Sequence, residues 1–74
     1  MSEGLSQGLA MIDDLGASGE LDGYHLFHAA RADILRRLGH RDEAGDAYRR
    51  ALALATNQVE RSYLTRRLLE VNQQ

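Results

Sequence analysis

The sequence predicts an all-α protein of antiparallel helical hairpins, with about four helices in 74 residues. Two observations favour this class directly: apolar residues recur every three or four positions, and no segment shows the alternating pattern of a strand. Proline is also absent, so nothing in the chain forces a helix to break. Short connections between such helices favour antiparallel neighbours.

The first two helices are predicted on either side of a glycine-rich loop. The first is expected over residues 3–15, with Gly16 as its C-cap and with one apolar arc formed by Leu5, Leu9, Ile12 and Leu15. The second is expected over residues 24–38, with Asp22 as its N-cap. Its apolar face is formed by Tyr24, Phe27, Ala32, Ile34, Leu35 and Leu38.

The third helix is predicted over residues 42–55, after a tight turn at Gly39. Its face consists mostly of small residues, which permit a close approach to a neighbour: Ala44, Ala47, Tyr48, Ala51, Leu54 and Ala55. The fourth helix starts at Asn57, and Glu60 follows three residues later in the arrangement of a capping box. A weaker apolar face follows, formed by Tyr63, Leu64, Leu68 and Val71.

Composition and charge argue against several classes of function. The net charge of -2 gives no general attraction for nucleic acid, so we expect no direct nucleic-acid contact. The absence of cysteine argues against a structural zinc site and an oxidising compartment. No apolar run approaches the roughly 18 residues that span a bilayer, and no signal peptide is evident. We therefore expect a cytoplasmic protein with no membrane segment.

No residue pattern predicts catalysis, a metal site or a cofactor. Asp13 and Asp14 are adjacent, so their side chains diverge by about 100° and cannot flank one reacting bond. His25 and His28 could form one edge of a metal site, but no third ligand lies nearby, and a packing role for His28 is favoured. We predict that the protein is not an enzyme.

Arg31 lies within the apolar arc of the second helix, where an unpaired guanidinium is costly. Two interpretations remain. Arg31 either pairs with Asp13 or Asp14 on the first helix, which is favoured, or anchors a carboxylate of a partner.

The two middle helices resemble one tetratricopeptide repeat. The resemblance depends on the spacing of Ala32, Leu35, Gly39, Ala44, Tyr48 and Ala51, and it departs from the usual pattern at His28, Arg31 and Thr56. It implies one domain over residues 1–74 with one full repeat and two half-repeats. Because such arrays usually need about three units, we expect the C-terminal part of a longer protein.

A second resemblance covers nearly the whole chain and depends on the strings GLAMIDDL, LDGYHL, AARAD, LRRLG and AYRRAL. These are similar to the tetratricopeptide-like C-terminal extension of bacterial extracytoplasmic-function (ECF) type RNA polymerase sigma factors. The resemblance implies a regulatory domain that modulates transcription initiation. Its partners would be the sigma-factor core domains or RNA polymerase.

The surface expected to bind a partner is the polar face of the second helix, together with the possible anchor. Its candidate residues are Leu26, Ala29, Arg31, Asp33, Arg36 and Arg37. The alternative function is a free-standing small helical protein that self-associates as a protein-binding scaffold. A homodimer would then cover outer apolar residues that are expected to lack neighbours: Leu5, Leu9, Tyr63, Leu68 and Leu69.

Overall fold

The computed structural model describes residues 2–73 and, within that range, contains four helices and no strand. The helices are α1 (Ser2–Gly16), α2 (His25–Arg37), α3 (Arg41–Leu54) and α4 (Gln58–Asn72). The predicted all-α class is confirmed, and the predicted bounds differ from these by one residue. None of the described helices is long and apolar enough to cross a membrane.

The chain reverses at Gly39, as predicted, and this turn joins α2 to α3. Gly39 has a φ of +85°, a left-handed conformation that glycine adopts without steric cost. Its N–H donates to the Arg36 carbonyl, and the N–H of His40 donates to the Leu35 carbonyl. These two bonds form a Schellman motif, which closes the end of α2 and sends the chain back.

Helices α3 and α4 form the second antiparallel pair, and arginine contacts join them at both ends. Arg41, at the start of α3, donates to the carbonyl of Gln73, just after α4. Arg61, near the start of α4, donates to the carbonyls of Leu52 and Ala55 at the end of α3. The start of each helix therefore lies beside the end of the other.

The core lies where α3 packs against α2 on one side and α4 on the other. Its buried side chains are Ala32, Leu35, Ala44, Ala47, Tyr48, Ala51, Ala55, Leu64 and Val71. The small-residue face predicted for α3 is confirmed except at Leu54, which is only partly buried and lies outside the core, and it continues through Gly45. A Cβ atom at Gly45 would lie 3.7 Å from the Val71 side chain, so α4 crosses α3 closely there.

Helix α1 packs on α2 at the edge of the molecule. The predicted capping role of Gly16 is wrong, because Gly16 is the last helical residue and has no positive φ. A Cβ atom at position 16 would lie 2.5 Å from the Phe27 ring, so the absence of a side chain at Gly16 leaves room for that ring. Leu15 is 62% exposed, and its predicted place in the buried arc is therefore also wrong.

The start of α2 differs from the prediction as well. The N-cap is Tyr24 rather than Asp22, and it makes no side-chain capping bond. Tyr24 is half exposed rather than part of the apolar face. The carbonyl of Asp22 accepts a 2.8 Å bond from Nε2 of His28, which ties the loop to α2.

The outer apolar residues are less exposed than expected. Leu9, Tyr63 and Leu68 are partly buried and pack against the core, so the prediction that they lack neighbours is wrong. The prediction is correct for Leu69, which is 58% exposed. Two further large apolar side chains are exposed on α1: Leu15, described above, and Met11, which the sequence patterning did not single out.

Candidate protein-binding groove

An open groove lies between α2 and α4. The groove forms because α3 packs against both α2 and α4 and separates them. The volume of the groove is about 510 Å³. Most of its lining is apolar. The residues that line it are His25, Leu26, Ala29, Ala30, Asp33, Val59, Glu60, Tyr63 and Leu64.

Two aliphatic side chains, one on each helix, remain exposed at the groove. Leu26 on α2 is 45% exposed, and Val59 on α4 is 78% exposed. Fully burying an aliphatic side chain of this size contributes roughly 1.5–3 kcal/mol. The pair therefore offers a substantial apolar contact to any segment that covers both helices.

A hydrogen-bonded network around Asp33 connects α2, α3 and α4 at the groove. The hydroxyl of Tyr48 donates to Oδ1 of Asp33, and the hydroxyl of Tyr63 lies 3.1 Å and 3.2 Å from the two Asp33 oxygens. Nε of Arg36 donates to the Tyr48 oxygen at 3.1 Å. The carboxylate is thus held in one orientation by groups from all three helices.

Tyr48 is the buried member of this network. Burial raises the pKa of Tyr48 to about 12, and the hydrogen bond to Asp33 acts in the same direction. The phenol therefore keeps its proton at neutral pH and remains a donor to the carboxylate.

Tyr63 is fixed from a second side by Arg67, whose guanidinium carbon lies 5.3 Å from the centre of the Tyr63 ring. Arg67 is in turn paired with Glu70 at 2.8 Å. Tyr63, which forms part of the groove wall, is therefore held at its hydroxyl by Asp33 and over one face of its ring by Arg67.

A second polar contact spans the groove between His25 on α2 and Glu60 on α4. Nε2 of His25 lies against Oε2 of Glu60. The nitrogen is buried, and this contact lacks the angles of a hydrogen bond. Asn57 caps α4 as predicted, because its side chain accepts hydrogen bonds from the N–H groups of Val59 and Glu60. The Glu60 side chain lies toward His25 rather than toward Asn57, as a capping box would require.

The structure brings half of the predicted partner-binding residues together. Three of them line the groove: Leu26, Ala29 and Asp33. Arg36 is part of the Asp33 network next to the groove, and Arg37 is exposed at the end of α2.

Arg31 lies outside the groove lining and contacts α1. Its Nε donates to Oδ1 of Asp13 at 2.8 Å, and a second nitrogen lies 4.0 Å from a Glu43 oxygen. The predicted internal pair with Asp13 is confirmed. The Arg31 side chain is 29% exposed, so it is only partly desolvated.

The packing role predicted for His28 is also confirmed. Its residue surface is 9% exposed, its ring meets the Phe27 ring edge-on at 5.1 Å, and Nε2 bonds to Asp22. Within residues 2–73, no group of three or more histidine, cysteine or acidic side chains is arranged to hold a metal ion.

Six groove residues were not among the predicted partner-binding residues: His25, Ala30, Val59, Glu60, Tyr63 and Leu64. The groove is formed by two helices that are not consecutive in the chain, so no one helical face reveals it. A signal did exist, since Val59 precedes Tyr63 by four residues and therefore shares its side of α4.

The structure is that of a small all-α protein of helical hairpins with an open, largely apolar groove. Over 66 residues, the chain is 42% identical to an uncharacterized protein of Rhizobium meliloti (strain 1021). The match covers 89% of this chain but only 15% of the relative's length. No family model matches the chain, and no solved structure matches it.

Proposed function

We propose that the chain is a regulatory protein-interaction domain of an ECF-type sigma factor and that the groove between α2 and α4 is its docking surface. In this function it contacts the sigma-factor core domains or RNA polymerase and thereby modulates transcription initiation. Tetratricopeptide-like packing of the hairpins is part of the same proposal.

The observation that carries the proposal is the groove itself. It combines exposed apolar walls, Leu26 and Val59, with a carboxylate at Asp33 that is held rigidly by Tyr48 and Tyr63. Grooves of this kind are typical of surfaces that bind a short protein segment. A rigid lining also reduces the ordering cost that binding imposes.

The sigma-factor part of the proposal is supported by the sequence strings that resemble such extensions. The Rhizobium relative carries its matching segment within a much longer chain, since the match is 15% of its length. In that protein the helical unit is one part of a larger molecule, as the proposed function requires here.

The test is a calorimetric titration of this chain with two candidate partners: bacterial core RNA polymerase and the separately purified domains of an ECF-type sigma factor. We expect at least one partner to bind. Leu26→Gln should weaken that binding about three- to tenfold, because the exposed 45% of the side chain accounts for roughly half of the 1.5–3 kcal/mol that full burial contributes.

Leu69→Gln is the matched control. Leu69 is also an exposed leucine, but it lies on α4 outside the groove lining, so this substitution should leave the affinity unchanged. Binding to neither partner contradicts the sigma-factor function. Binding that both substitutions affect equally contradicts the assignment of the groove.

A further inference from the structure

We infer that the groove between α2 and α4 takes the apolar face of an amphipathic helix that also presents one arginine or lysine, so the partner segment is basic rather than acidic. This inference rests on the proposed function and names the chemistry of the segment that binds. It starts from the charges of the lining: two carboxylates, Asp33 and Glu60, one imidazole, and no arginine or lysine.

The carboxylate of Asp33 is oriented but not closely paired with a cation. Its two donors are the neutral hydroxyls of Tyr48 and Tyr63. The guanidinium of Arg36 lies 3.9 Å from Oδ1 and directs its Nε to Tyr48 instead. A carboxylate can accept about four hydrogen bonds, so Asp33 keeps capacity for a cation from a partner.

Glu60 adds a second negative charge on the facing helix. Its side chain is 38% exposed and lies against His25. Because Glu60 is in the first turn of α4, the helix dipole partly offsets its charge. The charge of Asp33, in the middle of α2, is offset instead by the Arg36 guanidinium at 3.9 Å, so both carboxylates retain negative charge for a cation from a partner.

The dimensions of the groove suit a short helical segment. Its lining on α2 runs from His25 to Asp33, which is a rise of about 12 Å at 1.5 Å per residue. Two turns of a docked helix cover this length, with apolar side chains spaced by four residues against Leu26 and Val59. An acidic segment or a terminal carboxylate would meet like charge at Asp33 and Glu60, which opposes binding.

The probes are three fluorescein-labelled helical peptides that share one leucine face and differ at a single position on that face, which is Arg, Gln or Glu. Fluorescence anisotropy measures their affinities for the whole chain. We expect the Arg peptide to bind about tenfold more tightly than the Glu peptide, with the Gln peptide between them.

Variants then identify the residues responsible. Glu60→Gln and Asp33→Asn should each reduce the preference for the Arg peptide, and circular dichroism establishes that each variant is folded. Glu43→Gln is the matched control, because Glu43 is the third residue of α3 just as Glu60 is the third residue of α4, and it lies outside the groove. If Asp33→Asn does not fold, Glu60→Gln decides.

Equal affinities for the three peptides, a preference for the Glu peptide, or a preference that neither Glu60→Gln nor Asp33→Asn changes would overturn the inference. Failure of all three peptides to bind would overturn it as well. None of these results refutes the proposed function, because binding to sigma-factor domains or RNA polymerase is measured independently by calorimetry.

Discussion

At the scale of single residues, Asp33 is the residue through which hydrogen bonds connect the three helices around the groove. It is a charged residue on the polar face of α2, yet the hydroxyls of Tyr48 and Tyr63 bind it from two other helices. The sequence identified Asp33 as a candidate for partner binding and Tyr48 as a core residue. It could not connect them, because Asp33 is 15 positions from Tyr48 along the chain and 30 positions from Tyr63.

Replacing the hydroxyl of Tyr48 should destabilise the fold. Tyr48→Phe leaves Asp33 without one donor and Arg36 without its acceptor, at a cost of about 1–3 kcal/mol. Tyr24→Phe is the matched control, since Tyr24 is half exposed and lies outside this network. Urea unfolding measures both, and equal stability of the two variants would show that the network contributes nothing.

The same hydroxyl makes stability depend on pH. Because the folded protein raises the Tyr48 pKa from 10.0 to about 12, its contribution is fully present below pH 10 and is lost as pH rises toward 12. Tyr48→Phe should lack this part of the alkaline decrease in unfolding free energy, whereas Tyr24→Phe should keep it. Superimposable pH profiles for wild type and Tyr48→Phe would contradict the assignment.

At the scale of elements, the helices were predictable and their ends only partly so. Gly39 and Asn57 act as the sequence indicates, because a left-handed turn and an N-cap depend on local chemistry. Asp22 does not cap α2, which begins at His25 with Tyr24 as its N-cap, and Gly16 does not cap α1, which runs through it without a positive φ. Both residues instead contact side chains of α2: the His28 imidazole bonds to the Asp22 carbonyl, and the Phe27 ring lies beside Gly16. Tertiary contacts of this kind leave no local signal.

Gly39→Ala should weaken the hairpin of α2 and α3. Its φ of +85° costs an alanine about 1–2 kcal/mol. Gly4→Ala is the contrasting control, because Gly4 lies in α1 where an added Cβ atom would have nothing within 4 Å, and alanine favours a helix by roughly 0.5–1 kcal/mol. The free energy of unfolding, measured by heat or urea, should decrease for Gly39→Ala and increase for Gly4→Ala. A change in the same direction for both variants would show that the left-handed φ of Gly39 does not limit stability.

At the scale of the whole molecule, apolar surface remains exposed on the outer helices as well as at the groove. Met11 and Leu15 on α1 are 67% and 62% exposed, and Leu69 on α4 is 58% exposed. The periodicity of the sequence predicted four helices, but it could not show the groove, which depends on how α3 separates α2 from α4.

We therefore expect the isolated chain to have modest stability as a monomer or to self-associate through these outer faces. In a stack of hairpins each missing neighbour removes an interface and its stabilising free energy. Thermal unfolding over a range of protein concentrations tests this. A monomer that melts above about 90 °C without concentration dependence would show that the four helices need no neighbour.

The central claim is that a protein segment binds between α2 and α4, and an NMR titration tests it most directly. The ¹⁵N-labelled chain is titrated with the sigma-factor domains, which are small enough for the signals of residues outside the interface to stay sharp. Amide signals of Leu26, Ala29, Val59 and Tyr63 should shift or broaden, while those of Met11 and Leu15 on α1 should remain unchanged. Changes confined to Met11, Leu15 and Leu69 would contradict the claim and would identify the outer faces as the binding surface.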